Sequence, residues 1–415
     1  MVLTVLTGVT GTFSVAAPTV VTPGRLLSPA AVTVTDGRIE QVRAGTGRAD
    51  YVLPFGVLAP GLIDVQTNGA LGIDFQRATV DELRLVAAWL PTTGVTSFLP
   101  TVITGPLPEM LTALGTVRDA RGDRARPFPE LLRRRQPAAE HPAGARILGA
   151  HVEGPFLNPS RRGAHEQGCL RPPTAEAIRR LLEAAAGTVR MITLAPELSG
   201  AIPAVRQLVD AGVVVSLGHS DATAAETAAA VGCGARAITH APNACRPMAA
   251  REPGLVGLAL TDRRLTLGLI ADLHHVAGAM CRLLFAAAPG RVMLVTDSTA
   301  AAGMPPGTYS LGSSPATVAA AGEPPRRPDG TLAGSALRLD EAVANVAGLG
   351  IPLLDAVEAA STVPADLLGL ADRGRIVAGA RADLVWLDRN LRAVATWVDG
   401  KIAAGSGRLA DTATL

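Results

Sequence analysis

The feature that most constrains this chain is an alternation of two kinds of segment. Short β-rich runs, GLIDVQ, VTSFLPTVI, RILGAHVEG, RMITLAPE, VVVSLGHS, ARAITHAPN, LTLGLIAD and VMLVTDST, are separated by alanine- and leucine-rich stretches of helical length. DELRLVAAWL, TAEAIRRLLEAAAG and AIPAVRQLVDAG are examples of the latter. Strands that alternate with helices pair in parallel, because a parallel connection needs a crossover about as long as a helix. Eight such runs predict an α/β fold, a (β/α)8 TIM-type barrel.

Two other stretches have a different period. VTVTDGRIEQV (32–42) alternates around Asp36-Gly37, and ATWVDGKIAA near the far end alternates around Asp399-Gly400. Asp-Gly between alternating strands signals a two-residue type I′ hairpin. Hairpins at opposite ends of a chain can pair into one small β domain. The expected organisation is therefore 1–58 plus 379–415 as a small β domain, with the barrel at 59–378.

Composition narrows the partners. Of the 415 residues, 48% are hydrophobic and 18% charged, so a large core can form. The net charge of +2 has no long one-sign block apart from Arg133-Arg134-Arg135, which argues against nucleic acid or a membrane surface as partner. That arginine run lies in a Pro-, Gly- and Arg-rich stretch, 118–146, expected to be a solvated excursion. Lys401 is the only lysine, which leaves the barrel without a Schiff-base former. Cys169, Cys233, Cys245 and Cys281 show no CxxC spacing and fit a reducing cytoplasm. The apolar start has no basic residue before Arg25, unlike a signal peptide, and no uncharged apolar run approaches membrane-spanning length.

Most of the β-rich runs end in a polar or ionisable residue: Gln66, Glu153, Glu197, His219, His240, Asp272 and Asp297. In a barrel those ends share the catalytic face. A lone Glu or His there is ordinarily a satisfied polar terminus. Jointly, Glu153, His219 and His240 offer two imidazoles and a carboxylate, the donor set of a catalytic divalent-metal site with a position open for water. Asp297 is then a fourth ligand or a base beside an activated water. His151, two residues before Glu153, shares its face one layer deeper and is expected to support the site without ligating.

Taken in order, APGLIDVQTNG, HVEGPFLNPSRRGAH, LGHSDAT, THAPNA, REPGLVG, LVTDSTAAAGMPPGTYSLG, GTLAGSALRLDEAV and GRIVAGARADLVWLD resemble the N-acetylglucosamine-6-phosphate deacetylases of the amidohydrolase superfamily. The likeness spans nearly the whole chain from about Val15. It implies a urease-like β-sandwich built from both termini, metal ligation by Glu153, His219 and His240, and Asp297 as acid/base. It implies one divalent ion per subunit, zinc ahead of iron or another ion. Where many amidohydrolases carry an HxH pair, DVQTNG supplies Gln66 and Asn68, a possible remnant of a second metal site; amides bind metal poorly, so one ion is expected.

The resemblance further implies that Ala164 and His165 contact a sugar phosphate, with His165 near the scissile amide. Asn243, Ala244, Arg251, Asp272, His275, Leu332, Ala333 and Gly334 complete the implied substrate set. Arg251, in REPG, is expected to reach the phosphate from the neighbouring subunit of a homodimer; an arginine fork suits phosphate. APNAC lacks the family's aromatic before Asn243 and methionine after Ala244, and ADLHHV lacks its glycine after the aspartate. Adjacent His274 and His275 cannot both face one pocket from an extended segment, so His275 is assigned to substrate and His274 to structure. The implied reaction is hydrolysis of N-acetylglucosamine 6-phosphate to glucosamine 6-phosphate and acetate. The alternatives are the same hydrolysis on N-acetylgalactosamine 6-phosphate, a non-catalytic sugar-phosphate-binding barrel, or a deaminase or cyclic-amide hydrolase.

Overall fold

The structure, a computed structural model, describes residues 11–122 and 144–405. Residues 123–143, with the Arg133-Arg134-Arg135 run, and the apolar first ten residues lie outside the described part.

Eight parallel strands form the barrel: β1 (Leu62–Thr67), β2 (Val95–Ile103), β3 (Ala150–Glu153), β4 (Val189–Leu194), β5 (Val214–Leu217), β6 (Ala237–Ile238), β7 (Thr266–Ile270) and β8 (Val292–Val295). Each pairs in parallel with the next. Just beyond β8 the chain returns to β1: the Asp297 N–H donates to the Gln66 carbonyl at 2.8 Å and the Asn68 N–H to that of Ser298 at 2.6 Å. Below this seam Asp64 accepts the Thr296 hydroxyl at 2.6 Å. Every residue of β2 is buried, as expected of a strand covered on both faces.

The helices begin where their sequences signal it. Thr79 caps Val80–Trp89 and Thr223 caps Ala224–Gly232, each in a capping box with the glutamate three residues on. Thr174 caps Ala175–Ala185 through its side chain. Among the described residues no helix is long and apolar enough to cross a membrane.

Both ends of the chain build a β-sandwich with its own core. One sheet orders Arg38–Ala44, Ala30–Thr35, Thr12–Ala17 and Tyr51–Val52. The other runs from Lys401–Ala404 through Ala393–Val398, Leu384–Leu387, Val57–Pro60 and Val20–Thr22 to Arg25–Leu27, so late strands pair with early ones. Trp386 and Trp397 fill the space between the sheets, and the Trp386 indole N–H reaches the Phe55 carbonyl at 2.9 Å. Both Asp-Gly pairs form two-residue turns with left-handed φ, 49° and 76° at Asp36-Gly37, 50° and 73° at Asp399-Gly400. The two turns touch: a Cβ on Gly37 would lie 2.6 Å from the Asp399 carbonyl oxygen.

Candidate active site

At the C-terminal mouth of the barrel, side chains from β3, β5 and β6 converge. His240 Nε2 lies 3.1 Å and His219 Nε2 3.3 Å from Glu153 Oε1, and the two nitrogens are 3.0 Å apart. All three residues are buried. The His219 Nδ1–H is taken up by the Arg161 carbonyl at 2.9 Å, which leaves Nε2 as the atom presenting a lone pair to the cluster. Two imidazoles and a carboxylate aimed at one point in a buried cavity fit a divalent cation.

Asp297 sits beside this group. Its Oδ1 accepts Asn68 Nδ2 at 2.7 Å and Gln66 Nε2 at 3.3 Å, and Gln66 Nε2 also reaches Glu153 Oε1 at 3.0 Å. The two amides of DVQTNG thus bind carboxylates. Burial, with the nearby charge of Glu153, pushes Asp297 up to about 6. Burial would also raise Glu153, but the imidazoles of His219 and His240 against it outweigh that and hold the carboxyl well below the usual range. Burial, then the charge of His219, takes His165 down to about 3, so at neutral pH its ring is an uncharged donor.

The backbone is strained where the chemistry gathers. His219, His240, Ala244 and Asp297 have φ of 51°, 28°, 52° and 49°, left-handed values that side chains other than glycine seldom adopt. Such strain persists only where surrounding structure enforces it, and it collects at functional sites.

A cavity of about 340 Å³ opens on the cluster. Asn68, Glu153, Ala164, His165, His219, His240, Asn243, Ala244, His275, Asp297, Leu332 and Gly334 lie on its wall. His165 Nδ1 and Asn68 Oδ1 are buried there without a hydrogen-bond partner. Four expected residues are elsewhere. Gln66 braces from behind, and Ala333 is fully buried off the wall. Asp272 holds His275 Nδ1 at 2.7 Å and faces an adjacent cavity. Arg251 is exposed and off the wall of its own subunit.

His151 is saturated, its Nδ1 on the Val65 carbonyl at 3.0 Å and Nε2 on Thr193 Oγ1 at 2.8 Å, so it supports the layer below the cluster. His274, expected to be structural, is instead exposed; only its backbone N–H is used, on Asp272 Oδ1. Glu197 ties down the neighbouring loops through Asn158 Nδ2, Ser220 Oγ and the Asp221 N–H. Sequence reasoning missed Asp64 and Arg161. A charged residue two before Gln66 in an apolar strand was a usable signal for the first; Arg161 lies inside the quoted NPSRRGAH.

A closed parallel barrel with this donor set and a neighbouring carboxylate at its C-terminal mouth defines an amidohydrolase. The amidohydrolase family matches residues 57–403. The chain is 37% identical over 350 residues to the N-acetylgalactosamine-6-phosphate deacetylase of Escherichia coli O157:H7, covering 84% of this chain and 88% of that one. It is 36% identical over 396 residues to the N-acetylglucosamine-6-phosphate deacetylase of Bos taurus, covering 91% and 89%. A mutant N-acetyl-D-glucosamine-6-phosphate deacetylase from Mycobacterium smegmatis, solved in complex with N-acetyl-D-glucosamine-6-phosphate, superposes with a TM-score of 0.86 at 35% identity, over 95% of this chain and all of that one. This chain belongs to the N-acetylglucosamine-6-phosphate deacetylase family of amidohydrolases.

Proposed function

We propose that this protein hydrolyses the acetamide of N-acetylglucosamine 6-phosphate, releasing acetate and glucosamine 6-phosphate. The observation that carries the reading is the convergence of Glu153, His219 and His240 on one point beside Asp297. Those three residues would hold one divalent ion, zinc ahead of iron, which when bound polarises the acetamide carbonyl and acidifies a water. Asp297 accepts the proton of the attacking water and later returns it to the departing amine, serving as base and then acid. Gln66 and Asn68 fix the carboxylate for both transfers by holding its Oδ1. The uncharged His165 donates a hydrogen bond to the oxygen on which negative charge develops.

Asn243, Ala244, His275, Leu332 and Gly334 form the sugar-phosphate side of the cavity, with Asp272 setting the His275 ring. Arg251, exposed in its own subunit, is available to the phosphate in a neighbouring copy of a homodimer. The four free cysteines suit a reducing, cytoplasmic setting.

The likeness to an N-acetylgalactosamine-6-phosphate deacetylase supports a second reading, the same reaction on N-acetylgalactosamine 6-phosphate. Acetate release from both phosphorylated sugars and from free N-acetylglucosamine, on protein whose metal content is measured, tests these readings together. Preference for the gluco phosphate with about one metal per chain is the expected result. Preference for the galacto epimer selects the second reading, and no release despite bound metal rejects both.

A further inference from the structure

A phosphate ester carries nearly two negative charges, yet the arginine expected to meet it, Arg251, is off the cavity wall. Among the described residues lining that cavity there is one arginine, Arg161, on the loop between Glu153 and His165. Its guanidinium is positioned by Asp221: Nε and Nη2 lie 2.8 and 2.7 Å from Oδ1. That pairing uses one edge of the fork and leaves the Nη1 N–H groups without a protein partner among the described residues.

Arg246 holds the other side of Asp221. Its Nη2 takes Asp221 Oδ2 at 2.8 Å and its Nε the Asp221 carbonyl at 2.7 Å, so two guanidinium groups share one carboxylate. Two further carboxylates lie nearby: Glu197 accepts from Asn158 Nδ2, Ser220 Oγ and the Asp221 N–H, and Glu252, within reach of the Arg246 charge, accepts from the Ala224 and Gly254 N–H groups. All three members of the cluster are about one-third exposed, wet enough to exchange water for a ligand oxygen. The cluster also abuts the Asn243–Ala244 stretch of the wall, since the Ser220 N–H binds the Ala244 carbonyl and the Arg246 N–H the Ser220 carbonyl, each at 3.0 Å.

We infer that Arg161, oriented by an Asp221 carboxylate that Arg246 fixes from its other side, is a phosphate-binding residue supplied by the same subunit as the reacting centre. The inference rests on the sugar-phosphate reading above and adds to it a recognition group that needs no second copy. A planar fork with one edge anchored presents its free edge at a fixed angle, which suits two phosphate oxygens.

The test compares wild type with Arg161→Gln, Arg161→Lys and Arg246→Gln, each checked for metal content and melting temperature. Acetate release is measured from N-acetylglucosamine 6-phosphate and from free N-acetylglucosamine. Binding of glucose 6-phosphate and of glucose is measured by calorimetry. Loss of a charge-assisted hydrogen bond predicts that Arg161→Gln raises KM for the phosphorylated sugar about 10- to 100-fold. The unphosphorylated sugar should be little affected, Arg161→Lys should recover part of the loss, and Arg246→Gln should show a smaller shift of the same kind. Equal losses on both sugars would make Arg161 a brace for the loop and overturn the inference, as would an unchanged KM. Should Arg161→Gln fail to hold metal, the glucose 6-phosphate affinity of Arg246→Gln decides: weakened binding supports the inference and unchanged binding overturns it. If wild type releases acetate from neither sugar, the catalytic reading fails while the calorimetry still decides whether Arg161 binds a sugar phosphate.

Discussion

Asp297 shows how an ordinary carboxylate is fitted for proton transfer. Burial lifts its affinity for protons toward neutrality, while two amide donors fix one oxygen and leave the other to exchange a proton. Asp297→Asn should keep the fold, because asparagine tolerates the left-handed φ of 49° and its carbonyl can still accept from Asn68. Metal content should persist and kcat fall by about 10²- to 10⁴-fold; near-normal turnover by metal-loaded protein would remove Asp297 from the mechanism. Glu153, His219, His240 and Asp297 were legible in sequence because each ends an apolar run, and a barrel leaves such ends one common destination. Arg161 was not legible, since its use depends on Asp221 and Arg246, which only folding brings against it.

At the scale of elements, six of the eight barrel strands lie within the runs that announce them and two overrun theirs by one residue, β1 at Thr67 and β4 at Val189, because buried parallel strands need continuous apolar sequence. The hairpin Gly307–Leu311 with Ser314–Val318 was not foreseen. It belongs to no strand-helix unit and alternates only weakly, yet it brings Leu311 to the cavity wall and, through Ser313, holds Glu166 beside His165. The Asp-Gly turns were plain from sequence; their mutual contact was not. Gly37 has both a left-handed φ of 76° and no room for a Cβ. Gly37→Ala should therefore lower stability by about 1–3 kcal/mol, measured by urea unfolding, with acetate release at 25 °C little changed. An unaltered unfolding midpoint would show that the turns can part at no cost.

Across the whole molecule, barrel and sandwich are joined by buried charge. Arg373 reaches Ser97 of β2 at 3.1 Å and Asp383 of the sandwich at 3.5 Å, while Asp383 accepts the Asp399 N–H at 2.8 Å. Burial pushes Asp383 up to about 6 despite Arg373, against an ordinary value of 3.8. Between those values the folded protein holds a proton that the unfolded chain has released, so this group adds stability as pH falls from about 6 to about 4. Wild type should thus gain on Asp383→Asn by on the order of 3 kcal/mol as pH is lowered from 7 to 4. Parallel pH profiles of the two unfolding free energies would refute that account of the joint. The pairing of late strands with early ones has a consequence for synthesis. The early strands pair among themselves, but Val57–Pro60 meets Leu384–Leu387 only after the barrel has been made, and until then the apolar face that packs on Trp386 and Trp397 stands open beside it. Through most of translation that uncovered face is the part of the nascent chain most open to aggregation.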